Sequence, residues 1–539
     1  MPTSNAEAAA FGLQAGLGVT AGDVNAIRSM GYESWLNAEM AQPLGETGVS
    51  FLLDQGYDAI TTDQFFFRRA LVDYALYKQL MSGENNVRRK VALALSQMFV
   101  VSVNGVNMQW RGIGVTDYWD MLVRNAFGNF RDLLEDVTLH PAMAEYLTML
   151  GSRRADERSG RRPDENYARE IMQLFTIGLY ELNLDGTLRL GGNGQPIETY
   201  DNDDVTGLSE VFTGYQHDYT DVGENPHPSG DSYSVFTPQV MLQRVTSDSS
   251  KWRFPRTDNF HADTETSFLG TTVPAGTDAP NSLRIALDTL FAHPNVGPFF
   301  AKQMIQRLVT SNPSPAYVER VASVFNDNGQ GERGDMGATF KAILLDQEAL
   351  NPNRLADPSF GKVREPMLRL VQWGRTFKAD SPSGQWLVAD LSDSATRLGQ
   401  SPMRSPSVFN FYRPGYVPPN TAIATNDLVA PEFAIVNESS IAGYVNFMER
   451  VIEGRGWQLN DVRADYTSEL NLVDDIDALL ERIDVLLTGG QLRASTLSTI
   501  SSALSATSLD ETISEEDRLR RVHTAILLVM ASPDYLVQK

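Results

Sequence analysis

The chain contains no cysteine. Disulfides, zinc–thiolate sites and cysteine nucleophiles are therefore excluded. Lysine is scarce: of 45 basic residues eight are Lys and 37 are Arg, against 68 acidic ones, for a net charge of −23. A nucleic-acid partner needs a basic face, which this balance argues against. The same balance gives no support for binding an anionic membrane. No apolar run is long enough to cross a bilayer. The start, "MPTSNAEAAAFGLQAGLGVT", lacks a basic n-region and a long apolar stretch, so as it stands it is not a signal peptide. Gly-x-Ser-x-Gly, P-loop and dinucleotide spacings are missing, and so are His-x-x-x-His and His-Glu-x-x-His.

What is present is an ordinary globular composition, 42% hydrophobic and 21% charged, over 539 residues. Helical periodicity dominates. In "NNVRRKVALALSQMFVVS" the residues Val87, Val91, Ala94, Leu95 and Met98 recur at three- and four-residue steps. "NFRDLLEDVTLH" carries Phe130, Leu133, Leu134 and Val137, and "LHPAMAEYL" restarts at Pro141, a residue suited to a first helical turn. After Gly186 the texture changes to a hairpin with a Gly/Asn turn, then a helix capped by Asp203 or Asp204, then a stretch rich in Ser, Thr, Asp, Pro and Gly. These patterns predict a mainly α fold: one large multi-helix domain over 1–539, with short β-hairpins and irregular insertions. A hairpin and irregular insertion occupies 182–280, and an irregular loop region occupies 379–433. "DNDDV" is acidic but lacks the ligand alternation of a calcium loop, which favours helix capping.

The stretch "RRPDENYAREIMQLFTIGLYELNLDG" poses the main question. With Asp164 as cap and 3.6 residues per turn, Tyr167, Ala168, Ile171, Leu174 and Phe175 share the core face. Glu165 and Arg169 stand four apart, in the favourable acid-first order. A half-exposed helix with one surface ion pair satisfies this pattern. Yet Met172 and Ile177 are apolar on the other side. A helix apolar on most of its circumference is buried, and then Glu165, Arg169 and Glu170 need internal partners.

Six histidines are present: His140, His217, His227, His261, His293 and His523. Taken singly, each fits a capping or hydrogen-bonding role. Taken together, His140, Glu165, Glu170, His261 and Asp263 are candidates to converge on a divalent metal through imidazole and carboxylate ligands, activating water or O₂. In that scheme His140, His261 and Asp263 are the metal ligands. Glu165 or Glu170 acts as base, and Arg169 orients an anionic group.

Beyond these residue patterns, "RPDENYAREIMQLFTIGLYELNLDGT" resembles the bacterial family known as domain of unknown function 1800, near its Asn-Glu-Asn-Tyr-Ala-Arg-Glu core. The segments "HPAMAEYL", "DDVTGLSEVFTGY", "AHPNVGPFFAKQMIQRLVTSNPSPAYVERVASVF", "FGKVREPMLRLVQ" and "LGQSPMRSPSVFNFYRPGYVPP" are also similar to family segments. The similarity runs from about residue 85 to the end, which leaves 1–84 as a variable N-terminal region. The resemblance implies an exported bacterial protein. It also implies a partner resembling the sulfatase and alkaline-phosphatase group, and it implies no reaction. Many relatives carry Trp-His-x-His-Phe where this chain has "ALSQMFVVS", and that departure removes two histidines from any shared metal site. Two expectations result: an exported enzyme using the buried His/Glu/Arg cluster for metal-assisted hydrolysis or oxidation, or a non-catalytic envelope or assembly protein whose polar cluster is structural.

Overall fold

A computed structural model describes residues 1–61, 65–455, 461–506 and 514–539. Helices form most of it, and the sheets among the described residues are three antiparallel pairs of short strands. One apolar cluster draws buried side chains from Leu17 to Tyr535. A smaller one packs the helices Asn5–Ala15, Ala21–Met30 and Tyr32–Met40 around Phe11, Ile27, Trp35 and Leu36. Val87, Leu344 and Leu486 close it from later in the chain. No described helix is long and apolar enough to cross a membrane.

The periodic stripes pack as their spacing predicts. Phe130, Leu133, Leu134 and Val137 are fully buried on the helix Phe130–Leu139, and Asn129 caps it by accepting from the Arg131 N–H. Val87, Val91, Ala94 and Leu95 are buried on Asn86–Ser96, and Met98 just beyond it. The insertion after Gly178 is a ribbon of isolated bridges (Tyr180 to Glu198, Leu182 to Leu188, Leu190 to Pro196). Buried Asn295 ties it down. Its amide donates to the carbonyls of Ile177 and Tyr180, and its oxygen accepts from the Leu182 N–H at 2.7 Å. The helix after this ribbon, Asn202–Val211, is capped by Asp201 and not by Asp203 or Asp204. Asp201 accepts from both of their N–H groups, and Asp204 closes a capping box.

Two further elements border a cavity and the polar groups behind it. The helix Val296–Leu308 buries Val296, Phe300, Met304 and Leu308. Phe299, Gln303 and Arg307, each four residues apart, form a neighbouring row that faces the cavity. The strand Lys362–Val363 pairs with Val537–Gln538, and the helix Pro366–Thr376 begins just after it with Pro366 in its first turn.

Candidate functional site

The signature segment departs from the expected α-helix. It is α-helical only over Asn166–Glu170 and then widens to a π-helix over Ile171–Thr176. The wider turn changes the phase of the faces, which is how Met172 and Ile177 become buried beside Ile171 and Phe175. Thr176 reinforces the wide turn by donating its hydroxyl to the Ile171 carbonyl five residues back. Asp164 accepts from the Asn166 N–H, one position ahead of the cap residue Glu165.

The polar half of this segment divides. Glu165 and Arg169 form a half-exposed pair at 3.4 Å, with side chains 39% and 41% exposed. Glu165 also accepts from the Thr206 hydroxyl, and Arg169 reaches Asn202. The expectation that both need internal partners is corrected: they lie before the wide turn, on the exposed side of its short α-helical lead-in, and pair with each other there. Glu170 is buried, its Oε2 has no hydrogen-bond partner, and burial raises its pKa against the opposing effect of Arg169.

The histidines are engaged locally. His140 caps the helix Pro141–Tyr146: its Nδ1 accepts from the Ala142 N–H at 3.1 Å, and its Nε2 lies 3.2 Å from Asp117 Oδ2. His261 Nδ1 meets the Thr213 carbonyl at 3.0 Å, and its Nε2 meets Ser282 Oγ at 3.1 Å. Burial lowers the His261 pKa. Asp263 is largely exposed and paired with Arg154. Among the described residues no three His, Asp or Glu side chains gather so that they could hold a metal ion. The expected set of His140, His261 and Asp263 is thus not assembled, since each imidazole is already spent on neighbouring protein groups.

Charged and polar side chains meet instead at another place. A cavity of about 700 Å³ lies beside the helix Val296–Leu308, and Gln97, Gln173, Arg307, Asn410, Tyr412 and Arg413 stand in its wall. Behind that wall sits a buried network. Lys362 is 3.2 Å from Glu432 Oε1 and 4.0 Å from Glu365 Oε1, and it donates to the Arg307 carbonyl at 2.6 Å. Glu365 accepts from Gln97 at 2.7 Å and from Gln400 at 2.5 Å. It is the cap residue of Pro366–Thr376 yet makes no capping bond, so its carboxylate is free to join the network. Lys362, Glu365 and Glu432 are each at most 4% exposed.

The network is incompletely satisfied. Arg307 Nε, Asn410 Nδ2, the Tyr412 hydroxyl and Glu432 Oε2 are buried and make no well-formed hydrogen bond. Burial raises the Glu432 pKa, opposed by Lys362 and reinforced by Glu365. Burial also holds the Tyr412 hydroxyl far above its ordinary range, with the carboxylates of Glu365 and Glu432 adding to it. The loop that carries Asn410 and Tyr412 is held in unusual backbone. Met403 and Asn410 have φ of 55° and 63°, a region that Asn tolerates and Met seldom adopts. A buried pair anchors it: Arg404 donates to both carboxylate oxygens of Asp73.

A family model described as "Protein of unknown function (DUF1800)" matches residues 11–537. The chain belongs to the DUF1800 family. No curated protein and no solved structure matches it. Gln97 and Met98, within the stretch "ALSQMFVVS", line the cavity. None of the sequence-predicted site residues lies in this wall. One signal in the sequence did point to it: isolated polar residues inside apolar runs, such as Gln97 in "ALSQMFV" and Lys362 in "FGKV". Their convergence from positions near 97, 307, 365, 412 and 432 has no local spacing to betray it.

Proposed function

We propose that the chain is an enzyme of acid–base chemistry, a hydrolase, whose reactive centre is the cavity wall formed by Arg307, Asn410 and Tyr412 with Glu365, Glu432 and Lys362 behind it. One observation carries this reading: Arg307 Nε, Asn410 Nδ2 and the Tyr412 hydroxyl at that wall, and Glu432 Oε2 behind it, are buried and make no well-formed hydrogen bond. Each such group costs about 1–3 kcal/mol. A purely structural network would be expected to satisfy them, whereas a substrate-binding one leaves them for the ligand.

In this reading Arg307 Nε–H and Asn410 Nδ2–H bind the oxygen on which negative charge develops. The Tyr412 hydroxyl, beside Glu365, supplies or accepts the proton at the leaving atom. Glu432, whose burial favours the protonated form, replenishes that proton through the buried network. Water adds its hydroxyl to the electrophilic atom and its remaining proton to the leaving group, so the reaction is balanced without a further reagent. The π-helix contributes Gln173 and Leu174 to the cavity wall. Glu165, Arg169 and Glu170 support that turn and stand outside the chemistry. The exported setting and the sulfatase-like partner belong to the same proposal, on the family resemblance alone.

The test is turnover of chromogenic ester, amide and glycoside panels by the purified chain and by Tyr412→Phe and Glu432→Gln. Loss of turnover in both variants, with melting temperatures held within a few degrees, is expected. Full activity in both would overturn the assignment in favour of a non-catalytic envelope or assembly protein.

A further inference from the structure

A second cavity of about 670 Å³ adjoins the first, and the two share Gly178, Leu179, Phe299, Gln303, Pro414 and Gly415 as common wall. Each falls within the range of about 300–1,000 Å³ that accommodates a whole drug-sized ligand. Sharing that wall, the two form one trough. Their charges differ. The first is lined by Arg307 and Arg413 and by no carboxylate, in a protein whose net charge is −23. The second carries Asp357 and Asp427, with Glu348 paired to Arg320 and Lys302 as the cation in the wall.

The polar lining is dominated by carboxamides and hydroxyls. In the first chamber Gln97, Gln173 and Gln303 each engage a protein partner at one end of the amide: Glu365, Tyr200 and Arg307 respectively. Asn410 is 8% exposed, and its Nδ2 is unpartnered. The second chamber adds Gln306, Ser311, Asn312 and Ser314. A carboxamide both donates and accepts, which matches ligand hydroxyls that do the same. Phe299 and Phe411 stand among them, aromatic rings of the kind that pack on the C–H faces of saturated rings, while Phe409 is covered by the Arg413 guanidinium. Exposed Leu188, 47% accessible, continues the apolar rim outward along the ribbon.

We infer that the trough binds an acidic oligosaccharide, with a sugar carboxylate held by Arg413 at the rim of the first chamber, apart from the oxyanion donors Arg307 and Asn410, and further sugar units passing Phe299 into the second. The carboxylate meets the Arg413 guanidinium in a charge-assisted hydrogen bond. The ring hydroxyls meet the carboxamides. The acids of the second chamber repel a second carboxylate, so the chain enters in one direction, acidic unit first.

This inference shares its cavity with the proposed hydrolase centre, and the experiment separates the two. The full chain is titrated calorimetrically with tetragalacturonate, a mixed oligosaccharide bearing one terminal uronate, a neutral tetrasaccharide of equal length, and tetraglutamate. The mono-uronate oligosaccharide is expected to bind about tenfold or more tighter than the neutral one, the scale of one charge-assisted contact. Tetragalacturonate is expected to bind more weakly than the mono-uronate because of the second chamber. Arg413→Gln, at the exposed rim where the fold is not at stake, is expected to remove most of that preference with no change in melting temperature. Equal binding of neutral and acidic sugars, tetraglutamate binding as tightly as the uronate, or no binding of any of the four would overturn the inference. Sugar binding without turnover of any panel substrate would sink the hydrolase reading and leave this one standing. Turnover of esters or amides without sugar binding would do the reverse.

Discussion

Asp73→Ala isolates the pair that anchors the cavity loop. Asp73 is fully buried and Arg404 is 6% exposed. Arg404 Nε lies 2.8 Å from Asp73 Oδ1, and its second nitrogen reaches Oδ2. Removing one partner of a buried pair costs about 3–5 kcal/mol, because the other charge stays behind. Asn104 and the partly exposed Asp390 also touch Arg404, which places the expected loss near the lower end, about 3 kcal/mol. At about 2.1 cal/mol/K per residue, 539 residues unfold with an entropy of about 1.1 kcal/mol/K, so the melting temperature should fall by roughly 3 °C. Asp73 does not recover its own desolvation, since burial raises its pKa to about 6 despite Arg404, whereas at Arg404 the opposing effect of burial is outweighed by Asp73 and Asp390, which raise its pKa. With the folded pKa of Asp73 above the unfolded one, this group's contribution is fully present below pH 3.8 and is lost as pH rises through 6. The double variant Asp73→Leu/Arg404→Met should therefore melt above the single variant at pH 7.5, and at or above the wild type. Differential scanning calorimetry of the three proteins settles it. A single variant that melts with the wild type, or a double variant no better than the single, would refute the reasoning.

Other outcomes are equally definite. His140→Ala should cost about 1 kcal/mol as a lost helix cap and release no bound metal, checked by thermal melting and by elemental analysis before and after dialysis. Lys90 is buried against the carbonyls of Leu13 and Gly16, and burial lowers its pKa to about 7. The unfolded chain binds that proton more tightly, so the wild type should gain stability relative to Lys90→Met as pH rises from 7 to 10; parallel melting curves would count against it. Glu170 shifts the other way, its pKa raised by burial. Glu170→Gln should match the wild type at pH 4 and exceed it at pH 8, read as the difference in melting temperature at the two values.

The helices were legible in the sequence and the site was not, and the reason is range. Stripes such as Phe130, Leu133, Leu134 and Val137 lie within one helix, and period alone locates their buried face. His140 and His293 also behave as local context predicts, since each accepts from an N–H two residues on. The helix at Asn166 was legible only as far as Glu170, because a π-turn carries no mark in residue type and shifts every face after it. The cavity wall was marked only by isolated polar residues such as Gln97 and Lys362, with nothing local to name their partners. Gln97 and Glu365 touch across 268 residues, and neither has a neighbour in sequence that hints at the other. The family segments "FGKVREP" and "SVFNFYRPGY" did pass through the site, but similarity told which stretches belong together without telling which atoms meet.

The short strand pair carries a consequence for how the protein comes into being. Lys362 and Val363 find their strand partners at Gln538 and Val537, and the Arg364 N–H is taken by the carbonyl of Leu536. During synthesis the segment bearing Lys362 and Glu365 leaves the ribosome long before those partners exist. Until residues 536–538 emerge, the segment has its contacts to Arg307, Gln97 and Gln400 but lacks the strand pairing that completes its clamp. The nascent chain can thus fold its N-terminal helices early, while the backing of the cavity wall is completed only as a late event, after the last of these three residues has been made.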